Sequence, residues 1–269
     1  TILAIGLAAI IFSIHHLFAA PSGAFLFPNQ DWQAQSIRLQ GIGYYQNAES
    51  FNPYSNANES GWLADGAFQF GYFPLSNFQV GLWLPGHLDI AQKNRFGLGD
   101  IGAFAAARFP AIVSTEVAVH SFFPTGFKSH NPAPIFREFT QNAPSFRLGL
   151  RHDYQWRKNS LFLQNRYDFG GENSDQLWSL AVGYGYEWQS FSLLTGLENQ
   201  WTSKVEIAQN LENAHLAYAI LGGKWKISHQ YSLEIVSKMG GNERQISQPK
   251  WNLSVGFSSK WSWQKEYDK

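Results

Sequence analysis

Cysteine is absent from this 269-residue chain. Disulfides, thiolate metal sites and cysteine nucleophiles are excluded together, and no stray thiol would hinder passage through an oxidising compartment. Charge is scarce and balanced. Lys and Arg number 20 against 20 Asp and Glu, and charged residues make up 15% of the chain, where about 25% is usual. No net field draws the chain toward nucleic acid, which is not an expected partner. Long apolar runs are also missing: past the first twenty residues nothing approaches 18 uninterrupted apolar positions, so helical membrane spans are excluded there. The excess is aromatic, at 16%, with 11 Trp, 11 Tyr and 22 Phe. A chain so poor in charge and rich in rings has a surface that water does not wholly cover.

The first twenty residues, Thr1 to Ala20, form an apolar core of signal-peptide length, too short to span a bilayer stably. Small residues follow, and cleavage after Ala24 would place Ser22 and Ala24 at the two small-residue positions. The expected division is a signal peptide over 1–24 and one domain over 25–269. The chain opens on Thr and lacks a basic region before its apolar core, so a longer precursor is expected. After cleavage, Phe25-Leu26-Phe27-Pro28 would begin the mature chain, where it can tuck into the mouth of the domain.

Periodicity carries the fold. From Trp251 to Trp263 every second residue reads Trp251, Leu253, Val255, Phe257, Ser259, Trp261, Trp263, while Asn252, Ser254, Gly256, Ser258, Lys260 and Ser262 lie between. Alternate side chains of a strand point to opposite faces, so this stretch has one apolar and one polar face. Tryptophan at both ends of the apolar face suits the interfacial girdles of a membrane barrel. The same two-residue period recurs at 77–85, 112–123, 160–170, 176–188, 191–202 and 231–240, and helical period fits none of these windows. Weaker candidates at 34–45, 62–72, 98–109, 146–156 and 214–227, with 250–263, bring the total to twelve segments. An even number is what a single-chain bacterial barrel requires. Connections alternate in length: tight turns at 74–76, 110–111, 157–159, 189–190 and 228–230, longer stretches at 46–61, 86–97, 124–145, 171–175, 203–213 and 241–249. The implied fold class is all-β, a transmembrane antiparallel up-and-down barrel of about twelve strands, with short turns and both termini on the periplasmic side.

With apolar residues assigned to lipid, the lumen receives Arg38, Asp65, Gln69, Arg108, Glu116, His120, Arg147, Arg151, Asp153, Arg166, Asp168, Glu187, Glu198, Lys224, Lys226, Glu234 and Lys238. Charges gathered there must be hydrated or paired. Hydrated, they line a conducting pore; paired, they pack a filled cylinder, and Arg147, Arg151 and Arg166 are the candidates for a basic track. The 124–145 stretch carries Phe127, Ile135, Phe136, Arg137 and Phe139, too apolar for a solvated tether; it is expected to fold inward as a constriction, with a place on the barrel rim as the alternative.

Catalysis has little support. His120 and Ser121 are adjacent, so on a strand they face opposite sides, and no His-x-Ser occurs. His130, His152, His215 and His229 are scattered, so no metal, cofactor or catalytic residue is expected.

Phe96-Gly-Leu-Gly-Asp100, a strand, and then Phe122-Phe-Pro-Thr-Gly126 resemble the Gly-x-Gly-Asp and Leu-Pro-Thr-Gly pair of the outer-membrane family named for the meta-pathway of phenol degradation, described as transporters. The resemblance covers about 30 residues and implies a barrel for small, often hydrophobic, molecules. From the residues themselves, Gly97 and Gly99 permit a sharp entry from loop to strand, Asp100 can bond the backbone, and Pro124-Thr125-Gly126 ends the next strand. The expected function is an outer-membrane pore or diffusion channel for small hydrophobic or anionic molecules, whose partners are outer-membrane lipids, the barrel-assembly machinery and the solute. A filled structural or surface-binding barrel is the alternative, and a lipid-modifying barrel enzyme a third.

Overall fold

The computed structural model describes residues 32–52, 57–89, 95–126, 143–170, 176–207, 210–240 and 251–262. Within them the chain runs through β1 (Ser36–Asn52), β2 (Ala57–Leu75), β3 (Phe78–Asp89), β4 (Arg95–Leu98), β5 (Ile101–Phe109), β6 (Val113–Phe123), β7 (Ser145–Trp156), β8 (Asn159–Gly170), β9 (Leu177–Trp188), β10 (Phe191–Ile207), β11 (Asn210–Lys226), β12 (Tyr231–Gly240) and β13 (Trp251–Ser262). No described helix is long and apolar enough to cross a membrane. Successive strands pair antiparallel, and β1 returns to pair with β13, from Ser36 opposite Ser262 to Asn47 opposite Trp251. The sheet is closed.

Short β4 and β5 share one place in the wall. β4 pairs with the far part of β3, Gly86 opposite Leu98 and Asp89 opposite Arg95. β5 pairs with its near part, Phe78 opposite Ala107 and Trp83 opposite Gly102. They are one barrel strand broken at Gly99-Asp100, so the ring has twelve members, as the sequence pattern implies. The strand begins at Arg95, before the glycines, so the break falls inside the wall and not at the loop-to-strand entry expected for them. Two expected loops also narrow. β1 runs on to Asn52 and β2 begins at Ala57, while β10 reaches Ile207 and β11 begins at Asn210. These ends carry polar residues on both faces, so no alternation marks them, yet the backbone ladder continues.

Closure explains the two faces. The outer face exposes Val117, Val119, Leu148, Leu163, Val182, Leu193, Leu197, Leu221, Ile235 and Val255. So continuous an apolar surface is stable against lipid and not against water. Rings bound it on both sides. At the long-loop end Phe146 stacks on Phe169 (5.6 Å), Phe169 on Tyr167 (5.5 Å), Trp178 on Trp201 (4.4 Å) and Trp201 on His215 (5.1 Å). At the short-turn end lie Trp188, Phe191, Trp225 and Trp261. On β9 the ten steps from Trp178 to Trp188 rise about 33 Å along the strand, or roughly 25 Å along the barrel axis at the usual tilt of about 40°. That is the height of a membrane-embedded band.

Turn chemistry agrees. The two-residue connections after Trp156 and Trp188 place Arg157 (φ 56°) and Gln189 (φ 48°) in the left-handed region, which tight hairpins demand.

Candidate functional site: the barrel interior

Inward-facing positions follow from the strand period, and the structure places ionisable groups along them. Arg147 Nε and Nη2 donate to the two Asp168 carboxylate oxygens at 2.8 and 3.1 Å. Arg166 lies 3.5 Å from the same carboxylate. Arg151 donates to Asp153 at 2.8 and 2.9 Å. Glu198 accepts from Ser179 Oγ and Gln200 Nε2, both at 2.9 Å, and from Lys238 Nζ. Lys224 pairs with Glu234 at 3.0 Å, and Lys226 with Glu187 at 2.7 Å on the more exposed short-turn rim. Arg108 Nε donates to Ser114 Oγ at 2.8 Å, and Glu116 stands opposite both Arg108 and Arg151 in the ladder. His120 is buried, its ring stacked on those of Phe104 (5.3 Å) and Phe122 (6.2 Å). Arg38 sits over Phe73 at 5.1 Å. Asp65 lies in β2 opposite Tyr44 and His87, with its side chain outside the described residues.

The candidate basic track is therefore a set of ion pairs. Arg151 and Arg166 are 1% exposed and Arg147 is 6% exposed. At such burial each guanidinium needs a carboxylate or a ring, and both are supplied: Arg151 lies 4.5 Å from the Phe162 centroid and Arg147 5.5 Å from that of Phe122. Arg147 and Arg166 share the one Asp168 carboxylate, and Arg151 has Asp153 to itself.

Apolar residues also turn inward, which the assignment of every apolar residue to lipid misses. Phe162, Ala181, Leu194, Ile220 and Val236 form one buried cluster. It lies nearer the short-turn end than the Arg147–Asp168 and Glu198–Lys238 pairs, four residues before Glu198 on β10 and two before Lys238 on β12. Glycine makes the room. Phe162 stands directly opposite Gly183 and Phe104 opposite Gly81. A Cβ at either glycine would meet the facing ring at 2.4 Å. A glycine opposite a phenylalanine was the available signal for these inward rings. Trp32, just before β1, has no such signal, and it packs against the Ala106 and Ala118 pair.

The two halves of the glycine-rich motif meet. Asp100 Oδ1 accepts the Gly126 N–H at 3.0 Å, and Thr125 Oγ1 accepts the Ile101 N–H at 2.9 Å. Gly99 N–H bonds to the Pro85 carbonyl at 3.0 Å, which bridges the break in the wall. Asp100 thus caps the neighbouring strand's exit, where its own segment was the expected partner. The expected constriction residues Phe127, Ile135, Phe136, Arg137 and Phe139 lie outside the described residues, as does the 1–24 segment.

Catalytic geometry is not assembled at the tempting pair: His120 faces inward between two rings, and Ser121 faces the other side of the wall. Among the described residues no three His, Asp or Glu converge as metal ligands.

No protein-family model matches the chain. No curated protein matches it in sequence. Among solved structures, an outer membrane channel from Pseudomonas putida F1 superposes with a TM-score of 0.67, covering 90% of this chain and 100% of its own at 14% identity. The translocator domain of the autotransporter NalP from Neisseria meningitidis superposes with a TM-score of 0.52, covering 86% and 90% at 10% identity. The fold is thus that of the outer-membrane antiparallel β-barrels. At these identities the likeness defines architecture.

Proposed function

We propose that this chain is a passive outer-membrane pore for small solutes, exported by the 1–24 segment and inserted by the barrel-assembly machinery. One observation carries the reading: a single closed wall presents a largely apolar face outward and a file of ionisable side chains inward. A barrel built only to sit in lipid has little use for so many inward ionisable groups, which stabilise poorly against apolar packing. A path for solutes does, because Arg38, Asp65, Arg108, Glu116, His120, Arg147, Arg151, Asp153, Arg166, Asp168, Glu198, Lys224, Lys226, Glu234 and Lys238 give it polar sides. The likeness to the Pseudomonas putida channel supports this reading. The finer assignment, to the family named for the meta-pathway of phenol degradation, is supported by the hydrogen bonds between its two motif halves, and with it small hydrophobic solutes are the first class to try. Purified protein in a planar bilayer is expected to give discrete, weakly ion-selective conductance steps. Deletion of residues 130–142, the expected constriction, should enlarge them. Conductance no greater than that of the bare bilayer, from protein shown to be folded, would end the pore reading.

That outcome would favour the filled barrel. The observations behind this second reading are the pairing of the inward charges and the closeness of the packing, with Arg151, Arg166, Phe162 and Leu194 all 1–2% exposed.

A further inference from the structure

Trp32 does not belong to the wall, and its position is set by three features. It precedes the first strand by four residues, yet it packs against Ala106 and Ala118, whose side chains face inward. Ala106 lies three residues inside the end of β5 and Ala118 five residues inside the start of β6, roughly 10–16 Å along those strands from the short-turn rim. Between Trp32 and β1 the chain reverses through a tight turn, with Gln35 at φ 52° and Ser36 Oγ donating to the Gln33 carbonyl at 2.6 Å. The turn directs the preceding residue back into the barrel.

The seat is shaped for a ring. Ala106 and Ala118 stand opposite one another in register, so the wall there carries only methyl groups and leaves a ledge. Beside it Phe73, fully buried, meets the indole edge-on at 5.5 Å and 81°. The indole Nε1 is buried and has no acceptor among the described residues, whereas a buried tryptophan N–H usually finds one.

We propose that Trp32 is a constriction residue: it narrows the short-turn half of the lumen from inside. The proposal rests on the pore reading for its effect on flux. Its seat does not.

The test uses the lack of native cysteine. Ala118→Cys, and separately Ala106→Cys, are reacted in detergent-folded barrel with a charged thiol reagent, alone and combined with Trp32→Ala or Trp32→Phe. Heat-modified gel migration confirms closure of each variant. With the indole seated, labelling is expected to be slow; Trp32→Ala should accelerate it about tenfold, the factor matching about 1.4 kcal/mol of seating free energy. Trp32→Phe, which keeps a ring, should fall between. In bilayers Trp32→Ala should raise unitary conductance above that of the parent. Equal labelling with and without Trp32 overturns the proposal, as does faster labelling with unchanged conductance in a conducting barrel. Faster labelling in a barrel that never conducts supports the seat and overturns the pore reading instead.

Discussion

Glycine and phenylalanine across one strand pair show how a single side chain can decide the interior. Gly183 faces the Phe162 ring, and a Cβ there would also meet the Thr195 carbonyl at 2.6 Å. The backbone oxygen cannot swing aside, so Gly183→Ala is an overpacking change. We expect a loss of about 1–3 kcal/mol in urea unfolding from detergent; unchanged stability would mean that the strands shift apart freely. Glu198 is a second decisive position. With Lys238 removed, its buried carboxylate keeps the neutral donors Ser179 and Gln200 and the more distant Arg166 charge, but loses its directly bonded cation. Lys238→Ala should therefore destabilise by about 3–5 kcal/mol, whereas Lys238→Met combined with Glu198→Gln should lose far less. A double variant as unstable as the single one would contradict this account. Facing is tested at Val255 and Ser254. Val255 is exposed on the outer face, while Ser254 turns inward with its Oγ toward the Val236 carbonyl. Val255→Arg at mid-bilayer should cost about 2–4 kcal/mol and Ser254→Arg much less.

Hairpins and breaks are legible in the sequence to different degrees. β9 and β13 alternate cleanly because one face meets lipid and the other a packed interior, so the pattern reports the structure directly. Ser259, the one lapse in β13, is buried at 7% although it lies on the outer face. It stands between Leu39 and Tyr231 in register, whose larger side chains can close over it. The extensions of β1, β2, β10 and β11 were not legible, since a hydrogen-bond ladder leaves no mark where the sequence does not alternate apolar with polar residues. Nor was the break in the fourth barrel strand, because a glycine pair reads equally well as an entry or an interruption. The ion pairs were foreseeable as one of two outcomes, but partners could not be chosen from spacing alone: Arg151 takes Asp153 on its own strand and Arg147 takes Asp168 on the next. Asp100 offers a test of the element it ties. Asp100→Ala removes the acceptor of the Gly126 N–H, and a loss of about 1–2 kcal/mol is expected, with faster amide exchange at Gly126 while the distant Arg147–Asp168 region keeps its protection.

For the molecule as a whole, closure converts local pairing into a barrel that satisfies its own backbone throughout the membrane. Unheated protein should run differently from boiled protein on a semi-native gel. Equal migration together with solubility in detergent-free buffer would contradict the transmembrane assignment. Closure also has a kinetic consequence. Each pairing along the wall joins neighbours in sequence except the seam, where residues 36–47 meet residues 251–262. That contact spans nearly the whole chain, so its loop entropy must be overcome last and it sets a slow limiting step. Until then two unpaired strand edges lie open, each a template for pairing with another chain. The order in which the ring can be joined therefore leaves β1 and β13 as open edges for longer than any other strands, a liability that only closure removes.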